Sequence, residues 1–359
     1  MLYVNCANLN ADGYVGVKKK ILAQRRVFEK AFGTVYYTAT CGPIVYLLKN
    51  DRIMDKEFAI TKKEFYGLIC KWVEQYHIKR TYIRYDMSDV WFVNYLEWQK
   101  NNHIKSVLEF PTMPYDGEGQ VSVEDKYYRE QLHDYIDCCT TYADFETVFH
   151  IPCIPLVNGV DINEQKEKRY RNKDGIIVLV AVASMAKWHG YERVIKGLHE
   201  YYVNGGNRNI IFNIVGEGPE LPDYKKLTER YQLAKHVKFC GKLIGSKLDD
   251  IYDNSDIAVG SLGFYKINLY SNAPIKLREY CARGIPFVYG YDDVSFSVDD
   301  YFACQVPNDA TYLDIERIIE FYEVMYNERD FIKDMREYTL SNLTWDIILC
   351  PVIDYLRGE

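Results

Sequence analysis

The residues best suited to chemistry lie in the segment 272–290, NAPIKLREYCARGIPFVYG. The predicted start of a helix lies around Asn272, Ala273, Pro274 and Ile275. Amides at the start of a helix lack partners within it, so they form a ready site for a diphosphate. Lys276 and Glu279 are three residues apart and share one face of this helix. A cation beside phosphate, with a carboxylate one turn further, suits the diphosphate and ribose of a nucleotide, and an ordinary surface ion pair is the alternative.

Two further loops follow predicted strands and carry glycines or a cation. Gly216 and Gly218 let the backbone approach a ligand, but the third glycine of the dinucleotide fingerprint is absent. A plain strand-to-helix turn therefore explains these glycines more simply. Lys187 and His189 follow another strand, where a phosphate would be met, and a purely structural histidine is the alternative.

Several kinds of chemistry lack their motifs in this sequence. No Asp-x-Asp triplet occurs, so the usual metal–diphosphate motif of single-sheet sugar-nucleotide enzymes is absent. The ten cysteines include no C-x-x-C spacing, which argues against zinc or a redox dithiol. No G-x-S-x-G nucleophile elbow is present. Adjacent pairs such as Asp292–Asp293 are expected to be solvated surface charges. We therefore expect no metal and no bound cofactor.

Composition excludes further classes of protein. The 359 residues suit two domains rather than one core. Lys and Arg number 44 against 51 Asp and Glu, a net charge of −7, which disfavours a nucleic-acid binder. No run approaches the roughly 20 apolar residues that span a bilayer, and the N-terminus does not resemble a signal peptide. The expected location is cytoplasmic.

Short apolar strands alternate with amphipathic helices along the chain, as in parallel α/β sheets. In the first half, strands are predicted over 2–6, 34–38, 81–85, 106–109 and 138–142, and helices over 17–32, 62–76 and 125–135. In the second half, strands are predicted over 176–183, 210–215, 237–240, 257–261 and 286–289, and helices over 191–203, 222–233, 247–252, 274–283, 312–326, 330–339 and 345–355. A Pro/Asn/Gly-bearing segment and a charged run over 151–174 predict a linker between two doubly wound halves. Ligands of such halves bind in a cleft beyond the carboxyl ends of the strands.

Taken in order, these motifs resemble the two-domain GT-B sugar-nucleotide glycosyltransferases, in the retaining group called glycosyltransferase family 4 or group 1. The segments that carry the resemblance are YIRYDMSD (82–89), LEFPTMPYDGE (108–118), PLVNGVD (155–161), IVGEGPE (214–220), VKFCG (237–241), the 272–290 segment and Trp345. The resemblance implies two facing Rossmann-like domains with a cleft between them. It assigns residues 1–165 to an acceptor-side domain, 166–340 to a nucleotide-sugar domain and 341–359 to a helix returning to the first.

The resemblance also implies roles for individual residues. Glu279 matches a glutamate that binds the nucleotide ribose, and Lys276 lies where the family holds the donor diphosphate or sugar. The other implied donor contacts are Gly13, Gly16, Gly216, Gly218, Gly241 and Lys242. Gly13 and Gly16 match a loop that closes on the donor phosphates, whereas backbone around Gly241 and Lys242 would meet the base.

Three positions depart from the family pattern. Ser271 stands in place of a glutamate that contacts the donor sugar. Ser184 and His189 replace an arginine and a lysine at the end of a strand, and Lys187 with Lys276 is expected to supply the missing charge. No histidine matches the one often found near the sugar. Asp116 is our candidate for an active-site carboxylate in that stretch, and Tyr115 is a candidate to face a sugar.

The implied function is retaining, metal-independent transfer of a sugar from a UDP- or GDP-sugar to a growing glycan of a capsule, exopolysaccharide or lipopolysaccharide. Two rival functions stay open. A sugar-nucleotide epimerase shares the architecture but needs no acceptor. A catalytically silent glycan-binding or scaffold protein is favoured by the serines at 184 and 271.

The predicted helix 17–32 is basic although the chain is acidic. Its cations are Lys18, Lys19, Lys20, Arg25, Arg26 and Lys30. A basic amphipathic helix favours docking on anionic lipid, where a lipid-linked acceptor would wait. This predicts peripheral association with the inner face of the cell membrane. The alternative is a core-packed helix with a solvated basic face.

Overall fold

The structure is a computed structural model that describes residues 1–8, 15–113, 115, 121–169, 175–328 and 330–358. The chain divides into two compact units, Met1–Asn158 with Trp345–Glu359 and Gly159–Thr344. The sequence predicts boundaries after residues 165 and 340, so both differ from the observed ones. Val160 belongs to the second unit because it pairs with Thr344 and its amide donates to the Leu343 carbonyl at 2.9 Å.

The elements are numbered in chain order. The described strands are β1 (Leu2–Val4), β2 (Tyr36–Cys41), β3 (Ile44–Lys49), β4 (Arg52–Phe58), β5 (Arg80–Arg84), β6 (Lys105–Phe110), β7 (Cys139–Thr141), β8 (Thr147–Val148), β9 (Ile151–Pro155), β10 (Ile176–Val182), β11 (Asn209–Val215), β12 (Val237–Gly241), β13 (Ile257–Val259), β14 (Phe287–Tyr289) and β15 (Ala303–Gln305). The described α-helices are α1 (Val15–Phe32), α2 (Lys62–Gln75), α3 (Val90–Asn101), α4 (Val123–Tyr128), α5 (Glu192–Val203), α6 (Leu221–Arg230), α7 (Ser246–Asp253), α8 (Ile275–Arg283), α9 (Ile315–Glu328), α10 (Phe331–Asn342), α11 (Trp345–Ile348) and α12 (Cys350–Arg357).

The first unit is built on one sheet of nine described strands, in the order β4-β3-β2-β1-β5-β6-β7-β9-β8. Its central strands are parallel, whereas β2, β3 and β4 pair antiparallel, as do β8 and β9. One buried apolar cluster packs under α2 and α3, and a second packs under α1, α11 and α12. Trp345 is 2% exposed in the second cluster, so the last two helices belong to this unit.

The second unit is a sheet of six described parallel strands in the order β12-β11-β10-β13-β14-β15. Numbered within the unit, this order is 3-2-1-4-5-6, the strand order of the Rossmann fold. Buried strands of this kind need apolar side chains on both faces, and residues 177–181 of β10 are all buried. The predicted α/β fold with two doubly wound, Rossmann-like domains is therefore confirmed. None of the described helices is long and apolar enough to cross a membrane.

Candidate functional site

The strand order of the second unit reverses between β10 and β13, which places the candidate site beyond their carboxyl ends. The loops that follow these two strands are joined by backbone hydrogen bonds. The amide of Leu262 donates to the His189 carbonyl at 2.8 Å, and that of Gly263 donates to the Trp188 carbonyl at 3.1 Å. A Cβ on Gly190 would lie 2.6 Å from the Gly263 nitrogen, so only glycine allows this approach.

Gly216 and Gly218 follow β11 and pack against the loop after β10. Their φ angles are +122° and +151°. A Cβ on Gly216 would lie 1.9 Å from the Ala183 carbonyl oxygen, and one on Gly218 would lie 2.5 Å from the Met185 nitrogen. The amide of Gly216 donates to the Gly241 carbonyl at 2.7 Å, which joins a third loop to the site. These glycines therefore allow their loop to pack closely against the protein's own backbone.

We expect Gly216→Ala to destabilise the second unit by more than 3 kcal/mol, because a positive φ costs about 1–2 kcal/mol and a backbone collision adds to it. Gly245→Ala is the matched control: Gly245 has a φ of +59° with open space around its Cα. The midpoints of urea unfolding of the two variants provide the comparison. Equal midpoints for both variants would show that the packing of Gly216 is unimportant.

The helix α8 begins beside this junction and leaves its first turn open. Pro274 precedes the helix with a φ of −64°, and no side chain in the described part of the chain caps the first amides. The Asn272 side chain instead accepts a hydrogen bond from the Ala273 amide at 2.8 Å. Uncapped amides and the helix dipole together favour an anion at this end.

Lys276 places a partly buried cation in that first turn. Its Nζ lies 3.4 Å from the Tyr191 hydroxyl. Burial lowers the pKa of Lys276 to about 8, and the negative charge of Glu279 offsets part of that decrease. Burial, followed by the charge of Lys276, lowers the pKa of His189 to about 3, so this imidazole is neutral at physiological pH. The open amides and the cation of Lys276 together can bind a diphosphate.

A buried ion pair anchors the same helix and is not predicted from the sequence. Arg278 is fully buried and its Nη2 donates to Asp293 at 2.6 Å, while its Nη1 donates to the Pro274 carbonyl at 3.3 Å. The expectation that the Asp292–Asp293 pair is solvated is wrong for Asp293, which is 4% exposed, and holds for Asp292. Nothing in the local sequence distinguishes the two carboxylates, because the burial of Asp293 depends on its contact with Arg278.

Residues 161–293 match the family model described as glycosyl transferases group 1. The matched residues all lie within the second unit. A comparison with curated proteins finds no match.

Solved structures resemble this chain over nearly its whole length. A glycosyltransferase from Rickettsia africae has a TM-score of 0.69 and 13% identity, covering 99% of this chain and 97% of that one. Anabaena HepE in complex with UDP has a TM-score of 0.63 and 11% identity over 100% of both chains. WaaG, a glycosyltransferase involved in lipopolysaccharide biosynthesis, has a TM-score of 0.57 and 12% identity over 100% of both chains. Such low identities show the fold alone, which is the predicted GT-B fold.

The other predicted donor residues of the second unit lie in the loops at the same sheet edge. Ser184, Lys187 and Lys242 are exposed. The carbonyl of Gly241 accepts the hydrogen bond from Gly216, and the Gly241 φ is +66°. Their contacts with a donor stay predictions, as do those of Asn272, Ala273, Pro274 and Ile275.

In the first unit, Gly13 and Asp116 lie outside the described residues. Gly16 lies within the first turn of α1, and a Cβ added there would meet open space. Tyr115 does not present its hydroxyl to a ligand, because it is 8% exposed and donates to the buried carboxylate of Asp125 at 2.8 Å. The interpretation of Tyr115 as a sugar-facing residue is therefore wrong for its hydroxyl.

The basic charge of α1 is partly used inside the first unit. Long-range ion pairs join Lys20 to Glu109 at 3.8 Å, Arg25 to Asp51 at 2.8 Å and Lys30 to Asp346 at 2.7 Å. Sequence periodicity does not reveal these pairs, since their partners lie far along the chain. Docking of α1 on anionic lipid stays a prediction, with fewer free cations available for it than the sequence implies.

Proposed function

We propose that this chain transfers a sugar from a nucleoside diphosphate sugar, of the UDP or GDP type, to a glycan acceptor. The observation that carries the proposal is the open first turn of α8 with the partly buried cation of Lys276 inside it. A diphosphate supplies the negative charge that both groups favour. The complex of HepE with UDP supports a nucleotide donor, since HepE shares the fold.

In the proposed reaction, the bond between the sugar and the diphosphate breaks and negative charge develops on the departing phosphate. The amides of α8 and the ammonium of Lys276 supply positive charge at the start of the helix, and we propose that they stabilise this phosphate. The acceptor oxygen forms its bond to the anomeric carbon on the face from which the diphosphate departs, so the anomeric configuration is retained. The released phosphate takes the proton of that acceptor hydroxyl. Because Lys276 and the amides supply positive charge, we propose that the reaction requires no metal ion.

We further propose that the acceptor is a bacterial surface polysaccharide or its lipid-linked precursor. WaaG, which shares the fold over its whole length, is a lipopolysaccharide enzyme, and this supports the assignment. Location in the cytoplasm, where nucleotide sugars are available, follows from the same proposal.

A thermal-shift screen of nucleotide sugars tests this function. A ligand that binds only the folded state at 100 times its Kd stabilises that state by about 2.7 kcal/mol. We expect UDP- or GDP-sugars to raise the melting temperature, and we expect turnover to require an added glycan. Turnover without an acceptor would instead indicate an epimerase, and the absence of any nucleotide binding would indicate a scaffold.

We expect Glu279→Ala to weaken nucleotide binding about 10- to 100-fold, because a hydrogen bond to a charged group contributes about 1.5–3 kcal/mol. Glu279→Gln keeps the shape and one acceptor, so it should lose less affinity. Calorimetric titration of the best nucleotide from the screen measures both variants. Wild-type affinity in a folded Glu279→Ala variant would contradict the assignment of the ribose to this carboxylate.

A further inference from the structure

A second depression lies in the second unit, beside β14 and β15. We call it the Tyr270 pocket; it has a volume of about 400 Å³, and its lining includes Tyr270, Asp292, Gln305, Pro307 and Arg317. Asp292 and Gln305 lie at or just beyond the carboxyl ends of these strands, at the same edge of the sheet as the donor loops. A volume in this range accommodates a small organic ligand.

Hydrogen bonds fix the polar groups of the pocket. The Gln305 side-chain amide donates to Asp292 Oδ1 at 2.9 Å and to the Tyr291 carbonyl at 3.0 Å. Within the described residues, neither the Gln305 side-chain oxygen nor Asp292 Oδ2 accepts a hydrogen bond. Arg317 donates to the Gln305 carbonyl at 2.8 Å, and its guanidinium has further N–H donors. Hydrogen-bond acceptors and donors therefore lie side by side in the pocket. A ligand with neighbouring hydroxyl groups needs both, because each hydroxyl donates and accepts.

An aromatic and aliphatic surface accompanies these polar groups. Tyr270 is 59% exposed, and within the described chain its hydroxyl forms no hydrogen bond. Val306 and Pro307 line the same pocket. Tyrosine combines a large apolar ring with a polar end, which suits a ligand that has C–H faces and hydroxyl edges.

The charges of the pocket indicate a neutral ligand. Asp292 and Arg317 supply one negative and one positive charge, in contrast to the cation and open amides at α8. The carboxylate of Asp292 would repel a phosphate or a nucleotide. The guanidinium of Arg317 cancels that negative charge but leaves no excess positive charge to attract an anion. Hydroxyl groups, which both donate and accept, match both partners.

The backbone connects this pocket to the predicted donor site. Ser271 pairs with Asp292 as an isolated parallel bridge. The Asp292 amide donates to the Tyr270 carbonyl at 2.8 Å, and the Asn272 amide donates to the Asp292 carbonyl at 3.0 Å. Only Ala273 and Pro274 then separate this ladder from the start of α8. A ligand in the pocket would therefore lie next to the segment that begins the donor site.

We infer that the Tyr270 pocket binds a neutral sugar unit of a glycan. The pyranose ring packs its C–H face on Tyr270 and Pro307, and its hydroxyls bond to Asp292, Gln305 and Arg317. A role of this subsite in catalysis rests on the proposed glycosyltransferase function. Binding of a sugar in the pocket does not depend on that function.

Saturation-transfer NMR on the full chain tests the inference. The probes are glucose, galactose, mannose, N-acetylglucosamine, maltose, cellobiose and lactose. We expect at least one probe to receive saturation, and Tyr270→Ala and Asp292→Asn to reduce that signal at least fivefold. Tyr312→Ala and Asp299→Asn are matched controls, because both residues are exposed in the same unit and line no part of the pocket. The controls should keep the wild-type signal.

Excess UDP and GDP separate the two sites. A sugar signal that survives excess nucleotide and disappears in Tyr270→Ala supports the pocket, even if no nucleotide binds and the proposed function fails. No saturation of any probe, a signal displaced by nucleotide, or an unchanged signal in Tyr270→Ala would overturn the inference.

Discussion

Lys276→Gln is expected to reduce kcat for sugar transfer by about 10²- to 10³-fold, the usual effect of removing one preorganised group that stabilises a developing negative charge. The ammonium of Lys276 is partly buried in the first turn of α8, so an exposed lysine elsewhere cannot take its place. Lys247→Gln is the control, because Lys247 is exposed on α7. Steady-state kinetics with the donor found by the screen measures both variants. A Lys276→Gln enzyme within threefold of wild type would contradict the role of this lysine.

The same lysine predicts a pH dependence. In the free protein its pKa is about 8, so the ammonium is mainly protonated below that pH. A bound diphosphate favours the protonated form and raises this pKa in the complex. Donor affinity should therefore fall as the pH rises above 8, by up to about tenfold per pH unit. Lys276→Arg, which stays charged, should show a flat profile between pH 7 and 9.5. An identical profile for both proteins would assign the effect to another group.

Arg278→Met is expected to reduce the free energy of unfolding by about 3–5 kcal/mol, because it leaves the buried carboxylate of Asp293 without its partner. The double variant Arg278→Met with Asp293→Leu removes both charges and should recover most of this loss. Lys333→Met provides a surface control, since the pair that Lys333 forms with Glu337 is exposed. Urea unfolding of the full chain gives the midpoints.

Donor binding provides a second readout of the same variants. Arg278 also bonds to the Pro274 carbonyl, so its loss should loosen the start of α8 and weaken nucleotide binding. The importance of this pair would be contradicted if Arg278→Met lowered the free energy of unfolding by less than about 1 kcal/mol. It would also be contradicted if the double variant lost as much free energy of unfolding as Arg278→Met and Asp293→Leu lose together when measured separately.

The sequence predicts the parts of the fold that local patterns determine. The apolar run of β10 and the helix α8, with Pro274 before it and Gly284 after it, occur where they are predicted. The predicted helix 345–355 is instead two helices, because Pro351 lies in the first turn of α12 and has no amide to continue α11. The hairpin of β3 and β4 is not predicted, since its stability depends on pairing with β2.

The candidate site is only partly predictable for the same reason. Lys276 and Glu279 follow from their spacing on one helix. The burial of Arg278 and Asp293, and the juxtaposition of Tyr270 with Arg317, depend on contacts between residues distant in the chain. Likewise, the packing of Gly216 against Ala183 requires knowledge of which loops are neighbours.

A crystal structure with the nucleoside diphosphate of highest affinity tests the central claim most directly. We expect phosphate oxygens at hydrogen-bond distance, about 2.7–3.2 Å, from amides in the first turn of α8 and from Lys276 Nζ. Well-defined nucleotide bound elsewhere, with that turn and Lys276 free of phosphate, would contradict it.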